Sequence, residues 1–330
     1  MKKFLLSLIG LSLILTIGVV TYYRFRDNND DNLTTIRLAE VTHSILYAPL
    51  YVAIENGYFE EEGIKIDLIL TPGADRVTAA VLSNDVEIGF AGIEPTVYVY
   101  NGGEKNYLQA FAGIVKRDGQ FIVSRQKIDN FKLSDMIGKE VLGGRVGGTP
   151  LINFENALKN EGVDPTRVNI NTTIDFGALL GAFIGGQGDF VNLFEPLATN
   201  VENEGLGYVV ASVGAFAGEV PYTNFFARKE FIDENEELLI RFTRAINRGL
   251  QFCKDNDAKT IAEVIVRQFP DSSITDLTQI LQRNIDADSW LENPFITEQS
   301  YNNMLDMMID ANLTETRVPF KTVVRNLHQK

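Results

Sequence analysis

The chain holds little of what most site chemistry requires. Its 330 residues include one cysteine, Cys253, one tryptophan and two histidines, His43 and His328. A single cysteine excludes a disulfide framework, a zinc knuckle and an iron–sulfur centre, since each needs several thiolates. Two histidines far apart in sequence offer no His-rich metal site, and no group of carboxylates has the spacing of a calcium loop. No metal, cofactor or catalytic set is therefore expected. The phosphate-binding P-loop and G-x-G-x-x-G are both absent, so a nucleotide is not indicated. Basic residues are in the minority, 30 Lys and Arg against 44 Asp and Glu, for a formal net charge of −14. With no basic stripe to neutralise phosphates, nucleic acid is excluded as a partner. The acids are scattered and form no tail, and self-repulsion that keeps the chain in solution accounts for most of them.

What is present is an ordinary globular balance of 45% apolar and 22% charged residues, in a chain long enough for two lobes. The anomaly is the start, "MKKFLLSLIGLSLILTIGVVTYY", with two lysines and then no charge before Arg24. As a helix, the apolar stretch would reach roughly 30 Å, enough to cross a bilayer. It is long for a signal-peptide core and no A-x-A-like cleavage site follows it. The expectation is an export signal, either retained as a membrane anchor or cleaved, with an extracytoplasmic body behind it; no cysteine stands there for lipid attachment. "RFRDNNDDNLTT" reads as a polar tether, so 1–33 is set aside as signal or anchor and tether.

From Thr34 a strand–helix alternation begins. "TTIRLAEV", "IKIDLIL", "VEIGFAG" and "YLQAFAGIV" read as strands, separated by the helical "APLYVAIENGYF", "ADRVTAAVLSND" and "EPTVYVYNGG". A second series of the same kind starts near Lys139, and from Glu234 onward the pattern is almost all helical. Repeated β-α units imply an α/β fold with mainly parallel sheets covered by helices on both faces. "FIVSRQKI" and "FFARKEFI" share a pattern and bracket the second series. They read as the two crossover strands where the chain leaves one lobe and later returns. This gives a lobe from 34 to 121 plus 222 to 330, a second from 122 to 221, and a ligand cleft between them.

In such sheets the loops after the C-terminal ends of the strands face the ligand. "GRVGGTP" is the most structured of these loops. Thr149 stands where an N-cap would and Pro150 at the first helical position, so free N–H groups could take an anion or a polar acceptor, with Arg145 adding charge. The alternative is a tight turn that needs its glycines, Gly147 among them, for geometry alone. "GIEP" and "FEP" place Glu94 and Glu195 at helix starts, either as residues satisfied at the positive helix end or as acceptors for a ligand N–H. Asp75, Asp118, Asp175 and Glu219 share the rim. An acid-rich rim repels small oxyanions and favours a neutral or amine-bearing ligand. Tyr47, Phe176, Phe194 and Tyr222 could sandwich a flat ring or serve only as core. His43 has no nucleophile in motif context, so it reads as a hydrogen-bonding residue before it reads as a base. Thr42 beside it completes the candidate set.

"YAPLYVAIENGYFEEEGIKIDL", "GADRVTAAVLSNDVEIGFAG", "GKEVLGGRVGGTPLINFENALKNEGVD" and "GDFVNLFEPLA" resemble the substrate-binding proteins of ABC importers, in the branch for nitrate, sulfonate, taurine and thiamine-pyrimidine uptake. The resemblance runs in order from about Ile36 to Ile265. It implies a two-lobed periplasmic-binding-protein fold of the second type that closes on a small molecule, with an ABC permease and ATPase as partners. The family also holds a pyrimidine-synthesising enzyme branch. Its members, like the pyrimidine-precursor binders, carry a histidine where this chain has Tyr47, and the enzymes carry a cysteine-rich motif that is missing here. The first loop, "EVTHSILY", also departs from the sulfonate branch. The implied role is capture without reaction, with a thiamine-pyrimidine-synthase-like enzyme or a sulfonate- or nitrate-type anion binder as alternatives.

Overall fold

The computed structural model describes residues 33–327. The apolar N-terminal segment and His328 lie outside the described residues. Among the described residues no helix is long and apolar enough to cross a membrane.

Among the described residues ten strands form two five-stranded sheets. The first contains β1 (Thr34–Glu40), β2 (Ile64–Leu70), β3 (Ile88–Ala91), β4 (Leu108–Val115) and β10 (Thr223–Arg228), in the order β2-β1-β3-β10-β4. The second contains β5 (Gln120–Ser124), β6 (Glu140–Leu142), β7 (Asn169–Asn171), β8 (Phe190–Phe194) and β9 (Tyr208–Ser212), in the order β7-β6-β8-β5-β9. Each sheet runs in one direction except for its fourth strand, β10 in one and β5 in the other, which is antiparallel to both neighbours. Both exceptions are the strands that enter directly after a crossing, as the shared pattern of "FIVSRQKI" and "FFARKEFI" suggests. A crossing segment arrives from the ligand-facing end of the sheet and can only run back through it, so it pairs antiparallel. The two crossings are themselves joined, with Val220 N–H donating to Lys116 O at 3.0 Å and Tyr222 N–H to Val115 O at 3.0 Å.

The central strands are buried on both faces, and their composition follows. Every residue of "LQAFAGIV" in β4 is buried, as a strand covered by helices on both sides requires. The helix Glu236–Asp255 buries Leu239, Phe242, Ile246, Leu250 and Cys253 on one face and carries Glu236 and Glu237 in its first turn, where the helix dipole favours them. It packs on the helix Ala48–Glu55. The axes come close because Gly249 presents no side chain; a Cβ there would run into the Pro49 carbonyl oxygen. The second sheet carries its own two apolar layers, centred on Phe154, Leu158 and Met136 on one face and Phe183, Leu193 and Val201 on the other. Trp290, from the C-terminal helical region, donates its indole N–H to Leu46 O at 2.7 Å and ties that region to the loop after β1.

Candidate functional site

The C-terminal ends of the strands of both sheets converge on a cavity between them of about 70 Å³. Nearly all the loops expected at the rim contribute to its wall. The turn after β1 supplies Val41 and Thr42, the turn after β2 Gly73 and Ala74, and the turn after β3 Gly92 and Glu94. From the second sheet come Gly144, Arg145, Gly148, Thr149 and Pro150, then Phe176 and Phe194, while Tyr222 and Thr223 line it where the chain returns. Tyr47 lines it as well. An outer recess shares Ala74, Glu94, Arg145 and Gly148 with this cavity and adds Asp75, Thr78, Tyr98 and Gly147.

The sequence-derived candidates thus separate into three groups. Thr42, Tyr47, Glu94, Arg145, Thr149, Phe176 and Tyr222 line the inner cavity, and Asp75 and Gly147 line the recess outside it. His43 and Glu195 line neither. Residues the sequence did not single out, such as Gly92 and Thr223, sit at a strand end in line with a named neighbour. The signal for them is the rule that strand ends face the ligand.

The walls are aromatic. The rings of Phe176 and Phe194 lie 5.6 Å apart and those of Phe194 and Tyr222 6.5 Å apart, all tilted, while Tyr47 packs edge-on against Phe90 at 4.5 Å. Burial raises the pKa of the Tyr47 and Tyr222 hydroxyls, so both remain neutral across the biological pH range.

Two charged groups meet the cavity, and both are already engaged. Glu94 is 2% exposed. Its carboxylate accepts the Thr149 backbone N–H at 3.1 Å and the Thr149 hydroxyl, across the cleft from the other sheet. Burial raises the Glu94 pKa against the opposing pull of these two bonds. The helix Thr149–Asn160 therefore starts differently from the sequence expectation: Gly148, in extended conformation, is the N-cap, Thr149 is the first helical residue and Pro150 the second. Proline is tolerated there because the first-turn N–H groups have no intrahelical partner. Thr149 donates both its N–H and its hydroxyl to Glu94, and its side chain does not cap the helix. Arg145, in the exposed mouth, bonds Asp75 of the first sheet at 2.6 Å and Asp175 at 2.8 Å. Gly147, at φ +82°, turns its carbonyl to accept the Tyr98 hydroxyl at 2.8 Å, a third contact across the cleft.

His43 belongs to a cluster beside the cavity. Its Nδ1 is 2.7 Å from Glu40 Oε1 and its Nε2 is 2.8 Å from the Gln268 carbonyl oxygen. Tyr51 donates its hydroxyl to Glu40 Oε2 at 2.8 Å. The carbonyl can only accept, so Nε2 donates to it, while Nδ1 meets the Glu40 carboxylate and the Tyr51 hydroxyl. Burial disfavours the charged ring, but the hydrogen bond and charge of Glu40 outweigh it and the pKa is raised. No basic nitrogen of His43 is left to face the cavity. Its place is to hold the turn at Thr42–Ser44, where the Ser44 hydroxyl donates to Glu195 O at 2.9 Å across the lobes. Glu195 caps its own helix, accepting Thr199 N–H and the Thr199 hydroxyl, each at 2.9 Å, and it pairs with Arg283 at 2.9 Å. Of the two roles the sequence left open for Glu195, the geometry matches the helix-end role.

Asp118 lies beneath the rim, inside the crossing. It accepts Gln120 N–H at 2.7 Å, and the Gln120 side-chain amide bridges it to Pro150 O at 3.0 Å. Burial raises its pKa to about 7 against these bonds. The buried Tyr222 hydroxyl sits beside it. Among the described residues no group of three or more His, Cys, Asp or Glu is placed to hold a metal ion.

Two sheets, each with one antiparallel strand that enters after a crossing and with a cavity at their facing strand ends, define a two-lobed periplasmic-binding-protein fold of the second type. The chain belongs to the NMT1/THI5-like family, whose model matches residues 45–260. It is 35% identical to YtlA of Bacillus subtilis (strain 168) over 296 residues, 89% of each chain. It is 21% identical to the formylaminopyrimidine-binding protein of Halalkalibacterium halodurans, over 84% of this chain and 93% of that one. At 24% identity over 66% of each chain it also matches the 4-amino-5-hydroxymethyl-2-methylpyrimidine phosphate synthase of Aspergillus parasiticus. Among solved structures, the alkanesulfonate-binding protein SsuA of Xanthomonas axonopodis pv. citri superposes with a TM-score of 0.69 at 14% identity, covering 88% of this chain and 98% of that chain.

Proposed function

We propose that this protein is the extracytoplasmic solute-binding component of an ABC importer and captures a flat, neutral or amine-bearing nutrient without altering it. One observation carries the reading. The cavity between the sheets is walled by Tyr47, Phe176, Phe194 and Tyr222, and its buried acidic group is Glu94. Aromatic walls hold a planar ring through offset and edge contacts, and a buried carboxylate favours N–H donors over anions. Arg145, the cation at the mouth, has both aspartates against it and little charge left to offer an anion.

Capture alone fits the site better than catalysis does. His43 has both nitrogens committed to Glu40 and Gln268, and Cys253 is buried in the helix Glu236–Asp255 with burial holding its thiol protonated. The pyrimidine-binding relative supports a heteroaromatic ligand, while the sulfonate-binding structure, at its low identity, speaks only for the fold. In this reading residues 34–121 with 222–330 swing against 122–221, and the contacts at Glu94, Tyr98 and Asp75 close over the guest. The N-terminal segment would keep the body at the membrane beside its permease and ATPase.

Isothermal titration against amino-substituted heterocycles, alkanesulfonates and nitrate, followed by mass analysis of the recovered ligand, tests this. Saturable binding of a heterocycle recovered intact is expected. Binding confined to the anions, or recovery of an altered molecule, would overturn the reading.

A further inference from the structure

The N-terminus of the helix Thr149–Asn160 points into the cavity, and its first N–H is taken by a carboxylate from the opposite lobe. A helix start that faces a cleft is an anion seat by construction, because unpaired N–H groups and the positive end of the dipole converge there. In this chain the seat is filled from within. Glu94 reaches across with one oxygen on the Thr149 N–H at 3.1 Å and the other on the Thr149 hydroxyl. The fit is tight: a Cβ on Gly92 would collide with both the Glu94 carboxylate and the Thr149 hydroxyl. Gly92 has to be bare for the carboxylate to lie where it does. Glu94 itself is the first residue of its own helix, Glu94–Asn101, and stands at that positive end as well. Among the described residues neither Lys nor Arg bonds it; its carboxyl oxygens meet an N–H and an O–H donor at the helix ends.

We infer that Glu94 acts as a built-in counterpart for the Thr149 helix start, so that this one side chain decides the sign of charge the cavity accepts. With Glu94 in place, an entering oxyanion meets a carboxylate where it needs a donor. With Glu94 removed, the same cavity presents a bare helix start, the Thr149 hydroxyl and the nearby Arg145. Exclusion of anions is therefore a property of one side chain and not of the fold, and a relative lacking it can use the same framework for anions. This deepens the proposed function, since it gives the reason the ligand is neutral or amine-bearing.

The test uses sulfate alone as the probe, so it does not depend on knowing the natural ligand. Melting temperature is followed against sodium sulfate, with sodium chloride at matched ionic strength to remove general screening. The wild type should show no saturable sulfate-specific rise. Glu94→Ala should gain one of a few degrees, and adding Thr149→Pro, which deletes the N–H at a position where proline is tolerated, should abolish it. If the alanine variant does not fold, Glu94→Ser, compatible with a helix start, takes its place with the same expected gain. A saturable sulfate response in the wild type, or none in a folded Glu94 variant, would overturn the inference. Neither result touches the titration of the wild type with heterocycles, so failure here and failure of the proposed function are read separately.

Discussion

Asp118, His43 and Phe176 show how much a residue's neighbours decide. Asp118 is an ordinary loop aspartate in sequence, yet burial in the crossing raises its pKa to about 7 from 3.8. A carboxyl whose pKa is raised by folding holds its proton longer in the native state, so its contribution to stability falls as pH rises from about 4 to about 7. Asp118→Asn should flatten that part of the stability curve, measured by urea unfolding at a series of pH values; an unchanged slope would show that the carboxyl does not couple to folding. His43 acts in the next window. Its pKa is raised by Glu40, so its contribution is full below about pH 6.5, its unfolded value, and is lost as pH rises through the native one. His43→Gln should remove that loss. Phe176 is a matter of affinity. On the proposed reading, Phe176→Ala deletes one aromatic wall, which is worth about 1 kcal/mol, and should weaken the heterocycle by about fivefold in titration while leaving the melting temperature nearly unchanged.

At the scale of elements, periodicity carries most of the information. The 20-residue helix Glu236–Asp255 is legible from its apolar spacing and acidic first turn, and β5 and β10 are legible as a matched pair from "FIVS" and "FFAR". The start of the helix Thr149–Asn160 is less so. "GGTP" reads as a helix capped by Thr149, yet the cap is Gly148, and Thr149 is the first helical residue with its N–H on a carboxylate 55 residues away. A long-range partner of that kind leaves no trace in local pattern. The contact between the helices Ala48–Glu55 and Glu236–Asp255 also depends on tertiary approach. Gly249→Ala puts a methyl group against the Pro49 carbonyl and should destabilise the protein by about 1–3 kcal/mol, seen as a lower urea midpoint with unchanged slope. A midpoint equal to that of the wild type would mean that the helices can part at no cost.

For the whole molecule, the issue is how firmly the two halves hold together. Contacts cross the cleft on both flanks, from Asp75, Glu94 and Tyr98 on one side and from Ser44 and Arg283 on the other. The Asp75–Arg145 pair is exposed, and an exposed pair contributes up to about 1 kcal/mol. Arg145→Met should therefore shift the balance toward an open form by no more than about fivefold, read as a larger radius of gyration in solution scattering. Raising the salt concentration should move the wild type the same way. A scattering curve unchanged by both would show that this pair does not restrain the halves.

Composition and spacing were enough to establish an α/β chain built of two similar series, crossed twice, with its cavity-lining groups in the loops at strand ends. They also showed that disulfide, multi-thiolate and His-rich metal chemistry have no residues to work with and that the nucleotide-binding motifs are absent. All of this is local or additive and can be counted along a chain. Only the tertiary structure decided which of two glutamates at helix starts faces the cavity, that His43 secures a turn with both its nitrogens, and that Asp118 lies sealed inside the crossing. Those outcomes depend on partners brought together from distant parts of the chain, and burial and hydrogen-bond pairing across such distances are set by packing, which no single stretch of sequence contains.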